Sequence, residues 1–180
     1  MKNLMTALAL GSALCCVFAF TTYRPAPKPA GAELKWYTWE EAYELNKTKP
    51  KKVLVDVYTD WCGWCKRMDK ATYTDSAVVA YLQQNFYPVK FNAEQKADIQ
   101  FNGYKFTYDA ASKVHTLASS LLDGKLGYPT VVYLNEKYER IMISPGYKEP
   151  KDMMTELRFA AEEQYTKTTW ESFRAEASKQ

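Results

Sequence analysis

Cys62 and Cys65 are the two residues whose types and spacing point most directly to chemistry. They stand in Trp61-Cys62-Gly63-Trp64-Cys65-Lys66, just after the run Val53-Leu54-Val55-Asp56-Val57-Tyr58 and the turn Thr59-Asp60. A short β-branched run of this kind reads as a fully buried strand, followed here by a helix from Cys62 to about Ala71. A cysteine at a helix start meets unsatisfied backbone amides and the positive end of the helix dipole, and both favour a thiolate. The dipole contributes up to about 2 kcal/mol in good geometry, and one pK unit is about 1.4 kcal/mol. A thiol with an ordinary pKa of about 8.5 is therefore expected to fall by roughly one unit. Cys65, one helical turn further on, shares the same face. In that arrangement Cys62 attacks a disulfide, and Cys65 resolves the mixed disulfide that forms.

Two blander readings compete. A C-x-x-C pair is also half of a structural zinc site, which needs two further ligands. The domain has no second cysteine pair and His115 is the only histidine, so no metal is expected. An inert structural bridge is the other alternative, but so small a loop constrains little of the unfolded chain. His115 caps the following helix or meets a partner and is given no catalytic role, and Met153-Met154 read as core filling.

The elements that must position the cysteines follow from the pattern. Thr38 and Glu41 fit a capping box that opens a helix through about Lys47, with Tyr43 and Leu45 facing inward and Trp39 near the cap. Asp56 is the one charged residue in the apolar run, so it is paired, protonated or functional. Thr74-Asp75 starts a further helix to Asn85, and Phe86 to Phe91 is the next strand, with Lys90 inside it. Gln100 to Phe106 alternates around Asn102-Gly103, a strong hairpin signal. A helix from about His115 to Leu122, the turn Tyr128-Pro129, and strands Thr130–Leu134 and Arg140–Ser144 come next. Pro150 suits the first turn of a last core helix through Tyr165. This order predicts an α/β fold with helices on both faces of the sheet.

The chain has 180 residues, 47% of them hydrophobic and 25% charged, with a net charge of +3. One well-buried domain is expected at that length. The basic residues are scattered, apart from a run at Lys47 to Lys52, and no basic face with interleaved aromatics argues for nucleic acid. Leu4 to Phe20 is almost wholly apolar behind Lys2, and Val17-Phe18-Ala19 offers a small residue at a cleavage point. Residues 1–19 are therefore expected to be a signal peptide, with an uncleaved anchor or a lipid attached at Cys15 or Cys16 as alternatives. Each of these places the domain outside the cytoplasm. Residues 20–33, with Pro25, Pro27 and Pro29, read as an extended linker. The domain proper is expected over 34–166, and 167–180 as a C-terminal helix or tail.

Over roughly Trp36 to Tyr165 the sequence resembles the thioredoxin family. Trp61-Cys62-Gly63-Trp64-Cys65-Lys66 is similar to that family's active-site motif. Asp56, six residues before Cys62, matches its buried aspartate, and Lys90 matches the lysine beside that aspartate. Tyr128-Pro129-Thr130 matches the cis-proline loop, and Gly146 a glycine after the last strand. The resemblance implies a thioredoxin-like fold with a central mixed sheet. It implies proton transfer between Asp56 and Cys65, and substrate contacts at Trp61, Gly63, Trp64, Tyr128 and Pro129. Burial is expected to raise the Asp56 pKa, which suits a general base acting through a water. Gly63-Trp64 replaces the Gly-Pro of common thioredoxins, so the redox potential does not carry over. The Cys-Gly-Trp-Cys-Lys form resembles exported thioredoxin-like proteins and the reductase domains of periplasmic electron relays. The 93–113 segment is an insertion relative to minimal thioredoxins, before the helix that leads to the cis-proline loop. Its hairpin is expected to border the substrate groove.

These residues together predict a periplasmic thiol–disulfide oxidoreductase, a reductase or isomerase rather than a primary oxidase. It would act as a monomer on disulfide or dithiol proteins, with no cofactor beyond the cysteine pair and with a membrane electron donor as candidate partner. The competing reading is a redox-inactive thioredoxin-fold module that binds peptides or serves as a scaffold.

Overall fold

The computed structural model describes residues 33–179. The expected export segment, and the linker apart from its last residue, lie outside that range. Helix α1 (Trp39–Thr48) opens with the anticipated capping box: the Thr38 hydroxyl accepts the Glu41 N–H, and the Glu41 carboxylate accepts the Thr38 N–H. Its inward stripe is Trp39, Ala42 and Asn46, spaced at helical intervals. Leu45, expected to face inward, is exposed, and Tyr43 is only half-buried. Asn46 occupies the inward position because its amide finds partners there, donating to Glu136 O and accepting from Lys51 N–H.

Strand β1 (Lys52–Tyr58) leads through α2 (Gly63–Ala71) and α3 (Ser76–Asn85) to β2 (Phe86–Asn92). β2 lies parallel to β1, a pairing that requires such a crossover. Two small hairpins follow, β3 (Ile99–Phe101) with β4 (Tyr104–Phe106), and β5 (Tyr108–Asp109) with β6 (Val114–His115). Asn102 and Gly103 have φ of 50° and 75°, the two left-handed residues that a tight hairpin turn needs. Then come α4 (Thr116–Leu121), β7 (Thr130–Leu134), β8 (Arg140–Pro145), α5 (Pro150–Ala161), a 3-10 turn (Gln164–Thr166) and α6 (Trp170–Ala177).

The main sheet runs β2-β1-β7-β8, with β7 antiparallel to both β1 and β8. Alternation along β1 sends Val53, Val55 and Val57 to the face covered by α1 and α4. Leu54 lies on the opposite face, packed with Met68 of α2, Val78, Val79 and Leu82 of α3, and Met153 and Leu157 of α5. The architecture is the α/β sandwich that the element order implied, built on the mixed sheet that the family resemblance implied.

Two expectations are corrected. α5 ends at Ala161 rather than Tyr165, since Glu163 turns left-handed (φ 53°) and brings its carboxylate to the Lys52 ammonium. The chain then folds back, and Trp170 and Phe173 of α6 pack on the buried Phe159. The β3–β4 hairpin is held by α1 and the turn after β7, not at the expected groove: Phe101 lies against Trp39, Tyr43 and Tyr138. An aromatic side chain facing such a cluster gains far more from burial there than from bordering solvent.

Candidate active site

β1 leaves the sheet at Tyr58, and a turn closed by the Cys62 N–H on Thr59 O delivers Cys62 as the N-cap of α2. Its Sγ accepts the Cys65 N–H at 3.1 Å, the kind of contact that stabilises a thiolate at a helix start. Cys62 and Cys65 are joined as a disulfide, with Cα atoms 5.3 Å apart. Both are buried, Cys62 at 4% exposure and Cys65 at 1%, so Cys62 is the more accessible residue of the pair. Gly63, the first residue of α2, is exposed, and a Cβ there would meet nothing within 4 Å.

On the face of β1 that packs against α2, Asp56 and Lys90 are paired across neighbouring strands. Asp56 is fully buried, and its Oδ2 accepts from Lys90 Nζ at 2.5 Å. Burial pushes the Asp56 carboxyl up to about 6, against the pull of the Lys90 ammonium. Its other oxygen, Oδ1, has no hydrogen-bond partner among the described residues. Lys90 also bonds Asp69 of α2 and lies over the rings of Trp36, Tyr58 and Tyr73 at 5.0, 4.9 and 5.4 Å. Burial works to lower the Lys90 pKa, but the two carboxylates outweigh it and the net shift is upward. Asp56 is thus both paired and pushed toward protonation near neutral pH.

The register places Thr130 opposite Val57, so Tyr128-Pro129 sits at the end of the sheet where β1 runs out toward Cys62. The Tyr128–Pro129 peptide is cis, and Pro129 O accepts the Gly146 N–H. Two exposed tryptophans flank the cysteines. Trp61 donates from Nε1 to Glu94 and meets the Tyr128 ring edge-on at 5.9 Å. Trp64 packs on Tyr147 at 5.5 Å, and the Arg67 guanidinium lies over both of those rings. The structure therefore gathers Cys62, Cys65, Trp61, Gly63, Trp64, Tyr128 and Pro129 at one end of the sheet, with the Asp56–Lys90 pair two residues back from the ends of β1 and β2. His115 stands apart as the cap of α4, accepting the Leu117 N–H on Nδ1. Among the described residues no three His, Cys, Asp or Glu side chains gather as a metal-ligand set.

The profile of the family Thioredox_DsbH, described as "Protein of unknown function, DUF255", matches residues 27–180. The chain belongs to that family. This DUF255 chain is 28% identical over 106 residues to "Uncharacterized protein B0495.5" of Caenorhabditis elegans, across 58% of the chain and 13% of the relative. It therefore spans about an eighth of the length of that relative. A shorter stretch of 35 residues, 19% of the chain, is 49% identical to 6% of "Thiol:disulfide interchange protein DsbD" of Actinobacillus pleuropneumoniae serotype 5b. The solved structure of "DsbH Oxidoreductase" superimposes with a TM-score of 0.55 at 17% identity, covering 79% of this chain and 92% of that one. The fold is thus thioredoxin-like, with a C-x-x-C pair at the start of a helix.

Four residues of this DUF255 site escaped the sequence reading. Asp69 and Arg67 were within reach, being four residues after Cys65 and three after Trp64, the spacings that share a helix face. Tyr147 follows the left-handed Gly146 (φ 87°), which turns the chain back toward α2. Glu94 carries no local signal, since only the tertiary fold brings it to Trp61.

Proposed function

We propose that the chain is a thiol–disulfide oxidoreductase acting on protein disulfides, as a reductase or isomerase outside the cytoplasm. The observation that carries this reading is the Cys62–Cys65 disulfide at the N-terminus of α2, with a buried, half-satisfied Asp56 on the strand that leads into it. In the reduced protein, the Cys62 thiolate attacks a substrate disulfide. A bond forms between Cys62 Sγ and one substrate sulfur, and the other substrate sulfur leaves as a thiolate. Cys65 then gives up its proton to Asp56 through Oδ1, directly or across one water, and attacks Cys62 Sγ. The Cys62–Cys65 disulfide forms, the first substrate sulfur is released, and two electrons have passed from protein to substrate. A carboxyl with a pKa of about 6 accepts and returns that proton near neutral pH.

The electrons pass through the two sulfurs alone, so no cofactor is assigned. Substrates are disulfide or dithiol proteins approached by a monomer, and a reductase working in an oxidising compartment draws electrons from a membrane donor. The exported setting rests on the apolar run Leu4 to Phe20.

The test is the Cys62–Cys65 potential of the full chain, equilibrated against glutathione. A value below about −250 mV supports a reductase, and one above about −180 mV an isomerase or oxidase. A pair that does not exchange at all overturns the enzyme reading.

A further inference from the structure

The surface beside Cys62 has a polarity that the exchange chemistry does not require. Among the described residues only five large apolar side chains are exposed, and Trp61 (67%), Trp64 (56%) and Leu126 are three of them. Leu126 lies two residues before Tyr128, so all three belong to the end of the molecule that carries the cysteines. Exposed apolar residues concentrated in this way mark an interaction surface. Both tryptophans are also held in place: Trp61 by Glu94 and Tyr128, Trp64 by Tyr147 and Arg67. Fixed aromatic walls bind with little loss of side-chain freedom.

The two walls differ in charge. The Trp61 wall is backed by the Glu94 carboxylate and, one residue along the chain, by Asp60. The Trp64 wall is backed by Arg67, whose guanidinium stacks 5.3 Å from the Trp64 ring and 5.4 Å from the Tyr147 ring. No carboxylate of the described residues pairs with it. The other cations of α2, Lys66 and Lys70, are equally unpaired, because the only carboxylate of that helix, Asp69, is committed to Lys90. A planar guanidinium pre-set on two rings keeps its outward N–H groups for a carboxylate of a partner.

We infer that the substrate of this site is an extended, cysteine-bearing segment with apolar residues beside the cysteine and an acidic residue on its Trp64 side, received by Arg67. This rests on the exchange reading above. The apolar neighbours lie against Trp61 and Trp64, and the carboxylate pairs with the guanidinium. A basic residue at the same place meets Arg67, and Lys70 one turn further along the same helix face, and is repelled. Arg67 acts on the choice of substrate and takes no part in the sulfur chemistry.

The experiment measures oxidation of the reduced full chain by small peptide disulfides, followed through tryptophan fluorescence. Each peptide has a central cysteine between two leucines, and a single Asp, Gln or Lys two residues away on one side or the other. Rates are compared as ratios within one protein, so a general loss of activity in a variant cancels. For the wild-type chain, Asp at one of the two positions should react faster than Gln by about threefold or more, and Lys there slower. The preference should shrink at 1 M salt. Arg67→Ala should bring the three rates together, and Arg67→Glu should reverse their order at that position while leaving the other position unchanged. Equal rates for Asp, Gln and Lys at both positions in the wild-type chain would overturn the inference, as would a preference that survives in Arg67→Ala. Failure of every peptide to exchange, the Gln forms included, would overturn the exchange reading itself and this inference with it.

Discussion

Asp56 is held where its charged form is poorly solvated, and this links chemistry to stability. Its carboxyl is raised from 3.8 to about 6 in the folded chain, mainly by burial. Between those values the folded state binds more protons than the unfolded one, so stability falls as pH rises through this window and stays lower above it. A shift of about two units corresponds to about 3 kcal/mol. Asp56→Asn should remove that part of the pH dependence and be the more stable protein at pH 7, while its Cys65 step slows. Urea unfolding of both proteins from pH 4 to pH 7 checks the first point. Parallel curves for the two proteins would contradict the assignment of the shift to Asp56. The roles of the two sulfurs separate as well. Cys62→Ser should abolish exchange, whereas Cys65→Ser should accumulate a mixed disulfide with substrate, visible by mass spectrometry of the intact protein. At this scale Cys62, Cys65 and Asp56 were legible in the sequence because a charge in an apolar run and a C-x-x-C at a strand–helix junction are local patterns. Glu94 and Tyr147 were not, because they reach the site through contacts distant in sequence.

At the scale of elements, local rules predict helix starts and tight turns well. The Thr38–Glu41 box, the Asp75 cap and the Asn102-Gly103 turn all form where their chemistry directs. A Cβ at Gly103 would meet no atom within 4 Å, so only its φ of 75° demands glycine. Gly103→Val should therefore destabilise the protein by about 1–2 kcal/mol through backbone strain alone, measured as a shift in the urea midpoint. Inward faces and helix ends were less legible. Leu45 is apolar yet exposed and Asn46 polar yet buried, because backbone hydrogen bonds to the distant Glu136 and to Lys51 compensate Asn46. The end of α5 is set by the Glu163–Lys52 ion pair and by the packing of Trp170 on Phe159, and neither Lys52 nor Trp170 belongs to the helix's own sequence. The β5–β6 hairpin, with strands of two residues each, is too short for periodicity to reveal.

Taken whole, the molecule is a sheet buried on both faces, with peripheral pieces fastened by few contacts. α6 has no fully buried residue and is attached through Trp170 and Phe173 on Phe159. Trp170→Ala should speed amide exchange in 170–177 by tenfold or more while β1 and β7 keep their protection, since local opening follows local burial. Equal loss of protection in the sheet would show α6 to be part of the core. By itself the sequence determined the order of the main strands and long helices, the α/β architecture, the cysteine pair at a helix start and the buried carboxylate. These depend on spacing along the chain, where periodicity, caps and turn chemistry act over a few residues. Only the tertiary structure decided that Lys90 is shared between Asp56 and Asp69, that Glu94 fixes Trp61, and that Arg67 lies on Trp64 and Tyr147. The physical reason is that side chains far apart in the chain interact once strand register and helix docking bring them within a few ångströms, and no local pattern specifies that docking.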